Sequence, residues 1–306
     1  MGKRNHTSSS SSVLLLSALP AVSDEEVNQM IASLLLFKEG ESCEGEWANE
    51  VRRLSIEWIR AVMGQRYKKN KQKRRPFEYS EKKLIEYLLW RKKTNITSKI
   101  AQHINSDGSG VAKLTTSQGC FYWCGVDSEG SPNLWYRADK QCFDSAIIQN
   151  EMERAALVMQ AGLDAMPTKT CTINFIICFD VFNLLKAMKK PGLAPAFIKA
   201  FITICPDRLK RAYMVTGNIG HMFYKLAVSL APASIMSKVV ETRSREDAAR
   251  QMVNEGIVSE EEVPEFMGGE CVHDEQITLN YPTMIRSITL AMKGEKEAVV
   301  DAGGKE

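Results

Sequence analysis

Asp180 is the residue whose position in the sequence most suggests catalysis. It follows residues 171–179, a mostly apolar segment rich in Ile and Phe that is typical of a buried strand. In α/β enzymes, catalytic groups often lie at the carboxyl ends of such strands. Asp180 has no evident His or Cys partner, so we interpret it as the cap of a following helix.

Other catalytic signatures are missing from the sequence. It contains no Gly-x-Ser-x-Gly elbow, no Walker loop and no dinucleotide-binding fingerprint. These observations predict a protein that is not an enzyme. An α/β enzyme centred on Asp180 remains an alternative.

The eight cysteines of the chain do not form a metal-binding pattern. Cys120 and Cys124 have no second pair at the spacing of a metal site, and the chain contains only four His. Cys171, Cys178 and Cys205 lie in apolar segments, where a reduced cysteine behaves as a small hydrophobe. We therefore expect no metal or other cofactor, and a reducing, cytoplasmic location.

Residues 66–75 form a basic run in which Tyr67 is the one aromatic residue. Such a run could contact anionic lipid, since each basic residue near a membrane contributes about 1 kcal/mol. A nuclear-localisation signal, a nucleic-acid patch and a solvated linker are the alternatives. A single aromatic residue gives little support for stacking on bases, so we expect no nucleic acid as a partner. The residues predicted to touch a membrane surface transiently are Lys68, Lys69, Lys71, Lys73, Arg74 and Arg75.

Helical signals dominate the chain as far as residue 105. We expect residues 1–22 to be a disordered tail, with a weak signal peptide as the alternative reading of the short apolar stretch 13–22. A capping box begins at Ser23, and an apolar stripe predicts one helix over residues 46–63. These signals indicate a helical lobe over residues 23–105.

Strand and helix signals alternate in the second part of the chain. A hairpin is predicted around residues 127–130, and a long helix begins at Ile148 and ends before Pro167. Strands are predicted over residues 171–179, 212–216 and 237–242, with helices between them. This alternation predicts an α/β fold with a mostly parallel sheet covered by helices.

The order of several short motifs resembles the CRAL-TRIO lipid-binding family, of the kind that includes phosphatidylinositol transfer proteins. These motifs are Trp90-Arg91-Lys92, residues 122–132, Cys205-Pro206-Asp207-Arg208-Leu209, residues 212–218, Ser237-Lys238-Val239 and Val263-Pro264-Glu265-Phe266-Met267-Gly268-Gly269. The sequence departs from the family pattern where Cys205 replaces an aromatic residue and Ser131 replaces an Arg. The resemblance implies a lipid-binding domain over residues 111–275 and a C-terminal extension over 276–306, disordered at its end.

The resemblance also implies an apolar lipid cavity between the sheet and a gate helix at residues 221–232. The predicted pocket residues are Ile173, Phe175, Ile177, Phe179, Met214, Met222, Phe223, Leu226, Leu230 and Val240. Judged from the central strand alone, the same apolar face could line a filled core. In phosphatidylinositol-binding members of the family, the positions matching Asp207 and Lys238 serve the lipid head group.

Phe175 and Ile177 occupy the positions where phosphatidylcholine-binding members carry polar residues. This difference disfavours phosphatidylcholine and leaves a sterol, a tocopherol or a retinoid as alternative ligands. We therefore predict a monomer that binds a phospholipid such as phosphatidylinositol, or another lipophile, and transfers or presents it between membranes. A protein-interaction module with a filled cavity, of the small-GTPase-regulator type, is the alternative.

Overall fold

A computed structural model describes residues 19–37, 44–67, 69–105, 120–141, 147–164, 166, 170–180, 190–217, 221 and 233–273. Within these residues, no helix is long and apolar enough to cross a membrane. The predicted gate helix lies outside this part of the chain, except for His221.

The first part of the chain is a helical lobe with one small hairpin. Its elements are α1 (Asp24–Leu36), α2 (Glu44–Arg52), α3 (Ile56–Gly64), β1 (Arg66–Tyr67), β2 (Asn70–Arg74), α4 (Phe77–Thr94) and α5 (Ile96–Asn105). The predicted capping box is confirmed, because the Ser23 hydroxyl accepts a hydrogen bond from the Glu26 N–H while the Glu26 carboxylate accepts one from the Ser23 N–H. The lobe has its own apolar core, in which Trp58 and Leu88 are fully buried.

The prediction of one helix over residues 46–63 is wrong. The chain leaves the helical conformation after Arg52, and Ser55 then caps α3 by accepting a hydrogen bond from the Trp58 N–H at 3.4 Å. A serine side chain competes for backbone hydrogen bonds in this way and favours the start of a helix over its interior. The apolar stripe nevertheless remains buried on both sides of the break, since Trp47 and Trp58 both belong to the core of the lobe.

The second part of the chain contains a five-stranded sheet in the order β3-β4-β5-β6-β7. The strands are β3 (Phe121–Val126), β4 (Pro132–Arg137), β5 (Ile173–Cys178), β6 (Leu209–Val215) and β7 (Val239–Thr242). The hairpin pair β3–β4 is antiparallel, and every other pair is parallel. The predicted helical lobe followed by a mostly parallel sheet with covering helices is therefore confirmed.

Helices cover the sheet on both faces. They are α6 (Ile148–Asp164), α7 (Leu193–Ile204), α8 (Ala233–Met236) and α9 (Arg245–Asn254), with 3-10 turns at Ala138–Lys140, Glu260–Glu262 and Glu265–Met267. The α6 face of the sheet carries Phe121, Leu134 and Phe175, which pack against α6 and α7. The α9 face carries Trp135 and Tyr213, which pack against α9 and the turns that follow it.

A buried polar network fixes the β3–β4 hairpin to the sheet. One oxygen of Asp127 accepts hydrogen bonds from the backbone N–H groups of Glu129 (3.0 Å) and Ser131 (2.8 Å). The other oxygen accepts from Asn174 (2.9 Å) and from the Lys210 ammonium (2.7 Å). The predicted turn is thus present, and its aspartate also reaches β5 and β6.

Candidate functional site

The α6 face carries a cluster of aromatic rings along the central strand. Phe175 stacks on Phe201 with ring centroids 5.1 Å apart, and Phe197 meets Phe121 edge-to-face at 5.3 Å. Tyr136 bridges this group to Phe179, with centroids 5.8 Å apart. These offset and edge-to-face contacts are the arrangements that aromatic pairs prefer. The face is therefore suited to apolar ligand chains, and it is also well packed where α7 covers it.

Most of the described pocket residues share this face. Ile173, Phe175 and Ile177 alternate along β5 and belong to, or pack against, the core on the α6 side. Met214 is buried and pairs in register with Ile177, so it points to the same side of the sheet. Phe179 follows the strand and packs near Tyr136.

Val240, assigned above to the pocket, instead lies on the α9 face. It pairs in register with Tyr213 and packs against the cluster that includes α9. Its neighbour Val239 pairs with Ala212 and packs against the core on the α6 face. Because side chains alternate along a strand, an error of one position assigns a residue to the opposite face of the sheet. The four predicted gate residues, Met222, Phe223, Leu226 and Leu230, lie outside the described residues.

Asp207 lies in a tight turn where the helical lobe meets the sheet domain. Its backbone is left-handed, with φ 60°, and its side chain is 14% exposed. Arg75 donates two hydrogen bonds to the carboxylate, at 2.6 and 3.2 Å, and the Lys83 ammonium lies 3.1 Å away. Burial raises the pKa of Asp207, but the hydrogen bond from Arg75 and the charge of Lys83 outweigh it and lower the pKa overall.

Lys238 lies next to the same turn, at the start of β7. Its ammonium donates a hydrogen bond to the Leu209 carbonyl at 2.5 Å, and Leu209 is two residues after Asp207. Burial lowers the pKa of Lys238, and the charge of Asp207 partly offsets that effect. The structure thus brings the two predicted head-group residues to one region, although they are far apart in sequence.

Arg208 is buried directly beside this region. Its guanidinium lies 4.3 Å from the Trp58 ring and donates to the Met166 sulfur at 3.7 Å. Its Nε has no hydrogen-bond partner among the described residues, and burial lowers its pKa. The Trp58 indole N–H in turn donates to the Pro206 carbonyl at 3.0 Å. The Pro206-Asp207-Arg208 turn therefore docks on α3 and α4 of the lobe.

Arg91, from the Trp-Arg motif, makes a second polar connection between the lobe and the sheet domain. It is 2% exposed and donates to Glu50 at 2.5 Å, Asp164 at 3.1 Å and Thr97 at 2.8 Å. Its partners come from α2, α5 and α6. A buried guanidinium with several acceptors tolerates little change in geometry, so this residue holds the two parts of the chain in register.

The basic run forms the β1–β2 hairpin and the turn after it. Arg74 pairs with Glu26 at 2.7 Å, and Arg75 pairs with Asp207. Lys69 and Lys73 are exposed. Lys68 and the side chain of Lys71 lie outside the described residues. Of the predicted membrane residues whose side chains are described, Arg74 and Arg75 form ion pairs, whereas Lys69 and Lys73 are exposed.

Sequence reasoning missed the contributions of Arg75, Lys83 and Arg208 to the region around Asp207. Arg75 and Lys83 lie 132 and 124 positions away from Asp207 along the chain. Arg75 does have a local signal, since it ends the basic run immediately before Pro76. No comparable local signal marks Lys83, which is one of several basic residues on α4.

The Asp180 carboxylate forms an ion pair with Arg245. The Arg245 Nε lies 2.5 Å from one carboxylate oxygen of Asp180, and Arg245 also donates to the Phe266 carbonyl at 2.6 Å. The other oxygen has no partner among the described residues. A carboxylate held by a guanidinium serves more readily as a structural anchor than as a base. The described residues also include no cluster of three or more groups able to hold a metal ion.

Comparison with known proteins assigns the chain to a family. The model of the CRAL/TRIO domain matches residues 116–269, just over half of the chain. The crystal structure of Sfh5 is similar in fold, with a TM-score of 0.51 and 12% sequence identity over 89% of this chain and 100% of that chain. No curated protein matches the sequence. The family match supports lipid binding or transfer in general, whereas the similarity to Sfh5 shows a shared fold. The chain belongs to the CRAL/TRIO domain family.

Proposed function

We propose that the protein binds a phospholipid, with its head group at the charged cluster around Asp207 and Lys238 and its acyl chains along the α6 face. It then transfers or presents that lipid between membranes. The observation that carries this proposal is the meeting of Arg75, Lys83 and Lys238 near a single carboxylate, beside an aromatic sheet face.

The charge of this cluster favours a phosphate group. Arg75, Lys83 and Lys238 contribute three positive charges, whereas Asp207 contributes one negative charge. The two positive charges in excess suit an anionic phosphodiester, which guanidinium and ammonium groups bind through charge-assisted hydrogen bonds. The carboxylate of Asp207 can accept hydrogen bonds from head-group hydroxyls, as the ring of phosphatidylinositol provides.

The acyl chains of the ligand lie along the apolar α6 face of the sheet. Each CH₂ group removed from water contributes about 0.8 kcal/mol, so two acyl chains supply a large driving force for burial. Ile177 and Met214 continue the apolar α6 face beyond the aromatic stack. Phe175 and Ile177 offer no hydroxyl, which disfavours phosphatidylcholine and keeps a sterol, tocopherol or retinoid as alternative ligands.

A second candidate, a protein-interaction module with a filled cavity, has one observation in its favour. The stacked rings of Phe175 and Phe201 already fill the space between β5 and α7 at that level of the sheet. If the packing continued along the whole face, no room for acyl chains would remain. Both candidates are non-enzymatic, act as monomers in the cytoplasm and do not involve nucleic acid.

Native mass spectrometry with lipid extraction separates these two candidates. A phospholipid at one copy per chain supports the proposal, whereas a protein that is isolated empty and takes up no added lipid refutes it. The head-group assignment is tested separately by measuring phosphatidylinositol transfer between vesicles for Lys238→Met. We expect at least a tenfold loss, of the size that a charge-assisted hydrogen bond supports, while the exposed control Lys199→Met keeps the parental rate. Equal rates in all three proteins would refute the role of Lys238 but not the pocket.

A further inference from the structure

The basic residues of the β1–β2 hairpin fall into two groups, according to whether they form ion pairs. At its base, Arg74 and Arg75 point inward and pair with Glu26 and Asp207. Lys69 lies in the turn of the hairpin and Lys73 lies on β2 next to Arg74. Both are exposed and make no ion pair with the described residues. The inward residues fix the hairpin to the body of the protein, so the outward residues project from a rigid base.

An aromatic pair lies beside these exposed lysines. Tyr79, in the first turn of α4, is 46% exposed, and its ring meets that of Tyr67 edge-to-face at 6.2 Å. The Arg75 guanidinium lies 5.6 Å from the Tyr79 ring. Tyrosine has an apolar body and a polar tip, and together with lysine it is enriched where proteins meet the interface of a bilayer.

The hairpin segment carries charge of one sign, since no acidic residue occurs between Glu57 and Glu78. In the part of the hairpin whose side chains the structure describes, the exposed basic residues without an ion pair are Lys69 and Lys73. Each basic residue close to an anionic membrane raises partitioning about fivefold, so these two lysines together contribute about 25-fold.

The aromatic geometry favours a bilayer over a nucleic acid. Bases stack on open, parallel ring faces, whereas Tyr67 and Tyr79 meet at an interplanar angle of 68° and Arg75 lies over the ring of Tyr79. A bilayer has no such requirement, since the tyrosines need only lie at the level of the head groups.

From these observations we infer that the β1–β2 hairpin, with Tyr79, is the surface that docks the protein on anionic phospholipid bilayers. The inference rests on the proposed function and names the partner of the same site. Arg75 follows the hairpin directly and also pairs with Asp207, so docking here brings the bilayer to the side of the protein that contains the Asp207 cluster. The exposed lysines and the proposed head-group site would thus act on one membrane.

The experiment measures co-sedimentation of the full-length protein with phosphatidylcholine vesicles that contain or lack phosphatidylserine. The variant Lys69→Gln/Lys73→Gln should bind the anionic vesicles about 25-fold more weakly than the parent protein. The control Lys93→Gln/Lys140→Gln removes the same charge from two exposed lysines outside the hairpin, and it should bind like the parent. Parental binding should weaken steeply with salt and should vanish without phosphatidylserine.

Two results would overturn the inference. An equal loss in both double variants would show that net charge, rather than the hairpin, drives binding. Tighter binding to a polynucleotide than to the anionic vesicles at the same ionic strength would assign the surface to a nucleic acid. Uptake of a fluorescent phospholipid from a vesicle-free dispersion distinguishes this inference from the proposed function. It should be unchanged in the hairpin variant, and its absence from the parent would refute the proposed pocket while leaving the docking result to stand.

Discussion

Replacing Asp207 by Asn removes the charge that Arg75 and Lys83 share and keeps the shape of the side chain. The Arg75 side chain is 9% exposed, so its guanidinium would remain buried without a counter-charge. Removing one partner of a buried pair costs about 3–5 kcal/mol. Lys83 is 30% exposed and contributes as a surface pair does, at about 1 kcal/mol or less.

Two properties of the Asn side chain partly compensate for the lost charge, so we expect the loss of stability to lie at the lower end of this range. Asn tolerates the left-handed backbone found at this position, where φ is 60°. Its amide oxygen can still accept one hydrogen bond from Arg75. We therefore expect the free energy of unfolding to fall by about 3 kcal/mol at neutral pH, measured by urea denaturation followed by circular dichroism.

The pH dependence of the free energy of unfolding provides an independent test of the same prediction. The folded-state pKa of Asp207 is lowered, so its stabilising contribution is complete above the pKa of an unfolded Asp, about 3.9. It is lost as the pH falls from there through the folded-state pKa. Across this acidic window the parent should lose stability more steeply than Asp207→Asn, which does not titrate at this position.

A double-mutant cycle with Arg75→Met isolates the pair from effects on the rest of the fold. We expect a coupling energy of about 2 kcal/mol, the range found for residues in direct contact. A coupling near zero, or an unfolding free energy of Asp207→Asn within about 0.5 kcal/mol of the parent, would refute the buried ion pair as the link between the lobe and the sheet domain.

Two further substitutions test the supports of the sheet. Gly269→Ala would place a Cβ 2.0 Å from the Val263 carbonyl oxygen, a backbone atom that cannot move aside, so we expect a loss above about 3 kcal/mol. The control Gly45→Ala has open space in α2 and should stabilise the protein by about 0.5–1 kcal/mol in thermal unfolding. Lys210→Met removes the ammonium that pairs with the buried Asp127 carboxylate and should cost about 2 kcal/mol at pH 7 in urea denaturation. Because the folded-state pKa of Asp127 is lowered, that loss should shrink as the pH falls through it, and a constant loss would contradict the assignment.

Local signals predicted the architecture well where neighbouring residues decide the structure. The capping box at Ser23, the hairpin around Asp127 and the buried strand before Asp180 each depend on residues a few positions apart. The break at Ser55 was missed because the apolar stripe continues across it. Helix α9 was missed as well, although Ser244 caps it by accepting a hydrogen bond from the Asp247 N–H at 3.0 Å. It is short and mostly polar, so its apolar periodicity is weak.

The site was harder to predict because it is built from distant parts of the chain. The motif resemblance pointed to Asp207 and Lys238 but not to the cations of the lobe that surround the carboxylate. The position of Val240 was set by the register of β7 on β6, which no local pattern fixes. Charge pairs and strand register both depend on tertiary packing, and a basic run carries no information on which of its members will be buried.

If the proposed head-group site is correct, the ion pairs of Asp207 give the helical lobe a direct part in lipid binding. Arg75 and Lys83 belong to the lobe, whereas Asp207 and Lys238 belong to the sheet domain, so a head group bound at this cluster would contact both parts of the chain. A ligand that binds only the folded state stabilises it in proportion to its concentration over its dissociation constant. A phosphate bound between these cations would therefore strengthen a junction to which Asp207, Arg91 and Trp58 all contribute in the protein without lipid. The lobe would then resist unfolding together with the sheet domain, as one cooperative unit, when lipid is bound.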